Sequence, residues 1–302
     1  MALWEAYHQP QTIEEAVALL GRYDGRARPV AGGTDLLLEM QQGHKPPVDA
    51  LIDVTSIPGL NRIEQADDQI IVGAAATHTQ IVASVLLVQQ ATCLVESCGV
   101  IGGPQVRNVA TLGGNVAHAL PAADGTTSLV ALDAEVELAS PEGIRWYPIL
   151  DMFSGPGRPS FDPTRSLITR FRFPLTTDSG TAFSRIMRPQ GVALPILACA
   201  VWVQMAAGDP DIIGDTRISL GPVQPVPARA VAAENTLRGR QLKEALDDCV
   251  AAARQSLQPR SSKHRATSTY RVEMIETFLR RTLPLAVERA ISGEVTPQGL
   301  GW

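Results

Sequence analysis

Two short stretches of this 302-residue chain combine residue types and spacing suited to holding a negatively charged ligand. Residues 29–35 read PVAGGTD, and residues 111–124 read TLGGNVAHALPAAD. Each sets a glycine pair, Gly32-Gly33 or Gly113-Gly114, after a short apolar run and next to a threonine. A diphosphate needs converging main-chain N–H donors and a close approach of backbone to ligand. Glycine permits both, having no Cβ and free access to positive φ. Ala31 leads into the first pair; Thr34 and Thr111 add hydroxyls, and Asn115 adds an amide that both donates and accepts. Asp35 has the wrong charge for a phosphate contact. Its expected place is the N-cap of a helix starting at Leu36, whose positive end would then face the phosphates. Asp124, after a Pro-Ala-Ala turn, suits sugar or ribityl hydroxyls, which donate. Either pair alone also fits an ordinary tight turn; two pairs flanked alike strengthen the case for a ligand without identifying it.

The elements that must position these residues follow from periodicity. Thr12-Ile13-Glu14-Glu15 fits a capping box and predicts a short helix ending at Gly21. Residues 26–33 read as a strand running into a turn, 36–43 as a short helix, and 50–57 and 69–75 as strands. Helical spacing extends over 77–101, with Thr77 or Thr79 as cap. Residues 111–119 read as strand, glycine turn and irregular chain; 127–140 as a helix-to-strand passage; 154–166, rich in Gly, Pro and Ser, as a surface loop; and 168–174 as a closing strand. Beyond Pro174 the pattern changes. Three strand-like runs (181–190, 194–206, 215–223) precede three helical ones (228–239, 241–257, 268–292), which predicts a compact α+β domain after a boundary near 174–180.

Composition narrows the class. With 45% hydrophobic and 19% charged residues the chain supports buried cores, and its length suits about two domains. A net charge of −5 without a basic run points away from nucleic acid. The most apolar stretch, 192–207, contains Pro195 and Gln204 and reads as a buried strand; no membrane span is expected, and an N-terminus without a signal pattern predicts a cytoplasmic protein. Cys93 and Cys98 lack further cysteines at iron–sulfur or zinc spacing, so they and Cys199 and Cys249 read as buried thiols, with no metal ligand set. Neither a Rossmann fingerprint nor a P-loop is present. His8, His44, His78, His118 and His264 stand apart; no catalytic base is assigned, and His118 alone adjoins a glycine pair.

The chain resembles the FAD-binding medium subunit of the molybdenum hydroxylases, the family of carbon monoxide dehydrogenase, bacterial xanthine dehydrogenase and N-heterocycle dehydrogenases. The resemblance runs through Pro10-Gln11-Thr12, Ala31-Gly32-Gly33-Thr34-Asp35, Ile52-Asp53-Val54 and Val72-Gly73-Ala74. It is densest at Gln105-Val106-Arg107-Asn108-Val109-Ala110-Thr111-Leu112-Gly113-Gly114-Asn115, and continues through Pro121, Asp124, Phe153-Ser154-Gly155-Pro156 and Tyr270-Arg271. It implies an α+β fold. Residues 1–176 would form a two-lobed FAD-binding domain of the vanillyl-alcohol-oxidase (PCMH) type, and 177–302 a smaller α+β C-terminal domain with a three-stranded antiparallel sheet plus helices.

The same resemblance implies FAD as cofactor, its diphosphate gripped from two sides by Ala31–Asp35 and Thr111–Asn115. Ile101 and Gly102 would lie near the isoalloxazine ring or adenine, and Asp124 would bind sugar or ribityl hydroxyls. The partners implied are a small 2Fe-2S iron–sulfur subunit and a large molybdenum-cofactor subunit, in a heterotrimer or its dimer, with NAD+, oxygen or a quinone as electron acceptor. The Cys-rich insertion that carries an extra cluster in some relatives is not seen. Where the family often has Lys and then Asp, this chain has Arg185 and Arg188 within Phe183–Gly191, and neither is assigned a role. A stand-alone flavin oxidase or reductase and an FAD-free assembly subunit are the competing readings.

Overall fold

The computed structural model describes residues 2–188, 194–262 and 265–299; Gly191 and His264, singled out above, lie outside them. The first lobe is a three-stranded parallel sheet of β1 (Ala6–His8), β2 (Ala27–Val30) and β3 (Ala50–Asp53), ordered β1-β3-β2. Helix α1 (Ile13–Arg22) packs Ala16, Leu19 and Leu20 into a core with Ala27 and Ile52. The Thr12 hydroxyl caps it by accepting from the Glu15 N–H at 3.1 Å, while the Glu15 carboxylate takes the N–H of Gln11. Helix α2 (Leu36–Gln41) follows β2 after the first glycine pair.

A second, five-stranded sheet has the order β4-β5-β10-β6-β7, with β4 (Ile63–Ala66), β5 (Gln69–Gly73), β6 (Glu135–Ser140), β7 (Gly143–Pro148) and β10 (Leu167–Pro174). Phe171 and Phe173 on its central strand are fully buried, each contributing about 1.5–3 kcal/mol of transfer free energy. Between β5 and β6 lie α3 (His78–Ala83), α4 (Val85–Gln90), α5 (Thr92–Gly99), α6 (Pro104–Arg107), α7 (Leu112–Ala117) and α8 (Asp124–Ala131). The single helix expected over 77–101 is thus three. Thr77 and Gln80 form the capping box of α3, but Ser84 turns extended and its hydroxyl accepts from the Leu87 N–H, so one serine ends one helix and starts the next. The surface loop expected over 154–166 includes a small hairpin of β8 (Phe153–Gly155) and β9 (Arg158–Pro159).

The remaining chain forms an antiparallel sheet of β11 (Ser179–Ile186), β12 (Leu197–Ala206), β13 (Asp209–Gly221) and β14 (Arg240–Gln241). The fourth strand was not expected: Gly239, at φ +73°, turns the chain so that two residues pair with Ile212 and Ile213, too short a run to carry a periodic signal. Helices α9 (Val231–Leu237), α10 (Leu242–Ser256) and α11 (Ser268–Ser292) complete the layer. Strand β12 is buried on both faces. Ala198, Ala200 and Trp202 join the core containing the α5 and α8 residues, and Cys199, Val201 and Val203 join the core containing the α11 residues. That double burial explains its nearly unbroken apolar run. All four cysteines are buried free thiols, as read from their spacing.

Candidate functional site

Strand β2 delivers the first glycine pair beside β3. Gly33 has φ +65°, and a Cβ on Gly32 would lie 2.1 Å from the carbonyl oxygen of Val109, so the backbone of residues 31–33 lies directly against the segment that enters the second pair. Among the described residues, the main-chain N–H groups of Gly32, Gly33, Thr34 and Asp35 donate to no group of this chain. Donors left open in this way are what an incoming anion requires.

The second pair is organised differently. Residues 112–117 are helical, where a turn and irregular chain were expected, because the Thr111 hydroxyl accepts from the Gly114 N–H at 3.1 Å and nucleates α7. The N–H groups of Leu112, Gly113 and Asn115 are also taken, by the carbonyls of Ala76, Ala74 and Thr111. Gly113 serves packing: a Cβ there would sit 2.7 Å from the Ala74 oxygen. Gly114 is exposed, and a Cβ on it would meet nothing nearer than the Thr111 hydroxyl at 3.2 Å. The second segment therefore offers a surface free of side chains and the Thr111 hydroxyl proton, rather than open amides. Ala31, Thr111, Gly113 and Gly114 line one pocket together with Val54 and Phe161.

Asp35 does not cap α2. Its carboxylate faces His118 instead, with Oδ2 3.4 Å from Nδ1, while Nε2 of the same ring lies 3.1 Å from Glu39 Oε1. His118 thereby ties the two glycine segments together. Sequence reasoning gave it no role because its partner Glu39 is 79 residues away; the one available signal was its place just beyond a glycine pair. The Asp35 carboxyl is held below its usual value, chiefly by the hydrogen bond with His118.

Asn115 is an internal brace. Its Oδ1 accepts from the N–H of Thr126 at 3.1 Å and from its hydroxyl, joining α7 to the first turn of α8. Asp124 begins that turn. It is buried, and Arg185 on β11 donates to its Oδ2 at 2.6 Å, while Oδ1 is buried without a partner. Arg185 also donates to the Val100 carbonyl, so the arginine left without a role by sequence joins β11 to the start of α8 and the end of α5. Ile101 and Gly102 follow. Gly102, at φ +55°, lines a second cavity with Val100, Arg107, Phe183, Arg185 and Met187. The structure thus brings Ala31, Thr111, Gly113 and Gly114 to one pocket, with Gly32 packed against Val109, and sets Gly102 at another.

An orphaned buried carboxylate oxygen has an unmet need for a donor. Burial, opposed by Arg185, pushes Asp124 up to about 7 from 3.8. A carboxyl raised in the folded state takes up a proton on folding, so its contribution to stability declines as pH rises from 3.8 toward about 7. Asp124→Asn is expected to flatten that decline in the cofactor-free chain. Urea unfolding at both ends of the window checks this, and equal slopes for the two proteins would contradict it.

Residues 3–176 match the family model described as the FAD binding domain in molybdopterin dehydrogenase, and residues 181–286 match that of the CO dehydrogenase flavoprotein C-terminal domain. The chain belongs to this family of FAD-binding oxidoreductase subunits. It is 32% identical over 286 residues to the carbon monoxide dehydrogenase medium chain of Afipia carboxidovorans, covering 94% of this chain and 97% of that one. It is 29% identical over 289 residues to the xanthine dehydrogenase FAD-binding subunit of Escherichia coli O157:H7, with the same coverage. A crystal structure of Cu,Mo-CO dehydrogenase in a cyanide-inactivated form superposes with a TM-score of 0.87 at 31% identity, covering 95% of this chain and 98% of that one. No helix among the described residues is long and apolar enough to cross a membrane.

Proposed function

We propose that this chain is the electron-transfer flavoprotein subunit of a heteromeric molybdenum hydroxylase. The FAD it holds would take electrons from 2Fe-2S clusters of a small partner subunit, themselves fed by a large molybdenum-cofactor subunit, and pass them to an external acceptor such as NAD+, oxygen or a quinone. Residues 1–176 form the FAD-binding domain in this reading, residues 177–302 the C-terminal domain, and the assembly is a cytoplasmic heterotrimer or its dimer.

The observation that carries it is the row of open main-chain N–H groups from Gly32 to Asp35, set against a glycine segment that exposes no side chain at Gly114. Thr34 and Thr111 supply hydroxyls to the same diphosphate, Ala31 and Gly113 shape the walls, Gly33 gives the turn its positive φ, and Asn115 braces the second segment from behind. The unpaired Asp124 oxygen would accept from a sugar or ribityl hydroxyl, with Ile101 and Gly102 beside a ring of the cofactor. Protein of this kind binds, orients and shields; the redox chemistry belongs to the flavin.

Purified full-length chain is expected to take up one FAD, read from its visible spectrum, and to turn over no small donor until an iron–sulfur partner is added. Chain that cannot be loaded with FAD would refute the reading, and turnover without any partner would replace it with a self-sufficient flavoenzyme.

A further inference from the structure

We propose that His118 is held as an imidazolium between Asp35 and Glu39, and that its positive charge is the positioning device that lets an anionic diphosphate settle on the turn at residues 31–35. This rests on the FAD-site reading above.

The geometry favours the cation. Nδ1 faces Asp35 Oδ2 at 3.4 Å and Nε2 faces Glu39 Oε1 at 3.1 Å. Carboxylate oxygens accept hydrogen bonds and do not donate, and a neutral imidazole has a single N–H. Nε2 is hydrogen-bonded to Glu39 and Nδ1 lies at ion-pair distance from Asp35, so a doubly protonated ring, with an N–H toward each carboxylate, suits the site better than a neutral tautomer that turns a lone pair on one of them. The ring is 18% exposed and Glu39 27%, so solvent screens that contact less than the one to Asp35, whose side chain is 57% exposed.

The charge has a reason to be there. Asp35 belongs to the turn whose N–H groups are open, and its carboxylate repels any phosphate drawn to them. Glu39, one turn further along α2, adds a second negative charge. His118 on one side and Lys45, 2.7 Å from Glu39, on the other bring the local sum of −2 and +2 to zero. The other titratable groups nearby do not substitute for it. His78 is buried and pushed down to about 4, first by burial and then by Arg107, so it is neutral near pH 7. Arg107 keeps its charge, but its guanidinium is anchored to the carbonyls of Ile101 and Gly102. Pulling His118 away from Asp35 would also free the turn to swing, since this contact joins the two glycine segments.

The sign of the pH dependence follows. The hydrogen bond with Asp35 raises His118 above 6.5, against burial and with help from Glu39. Its charge is therefore complete below that value and is lost as pH climbs through the raised one.

The test uses the full chain carrying nitrogen-15-labelled histidine, with His118→Gln identifying the ring signal. Both ring nitrogens of His118 are expected to be protonated at about pH 7, and Asp35→Asn is expected to lower the pH at which the proton leaves. A single neutral tautomer at that pH overturns the proposal. FAD titrations then compare wild type with His118→Gln. The variant is expected to bind about tenfold more weakly at about pH 6.5 and equally at a pH above the one at which the ring signal shows the proton gone, while His118→Lys, still charged there, keeps the low-pH wild-type affinity across the range. A ratio between wild type and His118→Gln that does not change with pH overturns the role of His118 alone. Wild type that takes up no FAD at any pH overturns the site reading itself.

Discussion

Gly114→Val is expected to weaken FAD binding about 10- to 100-fold while leaving the chain folded. The four glycines sit in different environments. Gly33 sits at φ +65°, and a Cβ there would press within 2.9 Å of Leu37, so Gly33→Val damages the turn as well as any ligand contact. Gly32 and Gly113 are worse probes, because a Cβ on either would collide with backbone carbonyl oxygens of this chain. Gly114 lies in the first turn of α7 with ordinary helical φ, is exposed, and asks only a few tenths of an ångström from the Thr111 hydroxyl. Valine is slightly better than glycine as a helix former. What the two added methyls obstruct is the space a close-lying ligand needs, and an overlap of this size costs about 1–3 kcal/mol. The bound flavin per chain and the thermal midpoint should be measured on the same sample. Undiminished flavin content at limiting FAD would remove Gly114 from the site.

The second large effect concerns the joint between the domains. Glu96 on α5 and Arg289 on α11 are buried at 1% and 3% exposure and meet at 2.7 Å. The Glu96 carboxylate also accepts from the N–H groups of Phe183 and Gln298, and the Arg289 guanidinium donates to the carbonyls of Thr181 and Thr296. One ion pair therefore fastens α5, β11, α11 and the segment after α11 to one point, beside the cavity lined by Gly102 and Arg185. Arg289→Met leaves a buried carboxylate without its counter-charge, which costs about 3–5 kcal/mol. Glu96→Gln combined with Arg289→Met is expected to cost less than the sum of the two single changes, because the second substitution removes the charge that the first strands. Denaturant unfolding of all four proteins measures the coupling. A single-variant loss under about 1 kcal/mol would mean that the pair contributes no more than an exposed one.

Much of the local structure was legible in the chain because it depends on neighbours a few residues apart. Thr12 and Thr77 announce their helices through side chains three residues from the N–H groups they cap. Strand β12 announces its double burial through a nearly unbroken run of apolar residues. The glycine pairs are visible because close backbone approach excludes every other residue, whatever is approached. The same local signals misled where a side chain had two uses. Ser84 divides an otherwise regular helical pattern, and Thr111 turns an apparent glycine turn into a helix start.

By itself the sequence determined which residues can form the site: two glycine pairs, their threonines, and the family pattern that runs through them. It determined nothing about charge pairing, because the partners of Asp35, Asp124 and Glu96 come from elements far along the chain. Asp35 looked like a helix cap and became the counter-ion of His118. Asp124 looked like a partner for sugar or ribityl hydroxyls and became a buried carboxyl held by Arg185 through one oxygen. Those outcomes depend on burial and on distances between elements, which set both the strength of an ionic contact and the cost of leaving it unmade, and tertiary packing alone fixes either quantity.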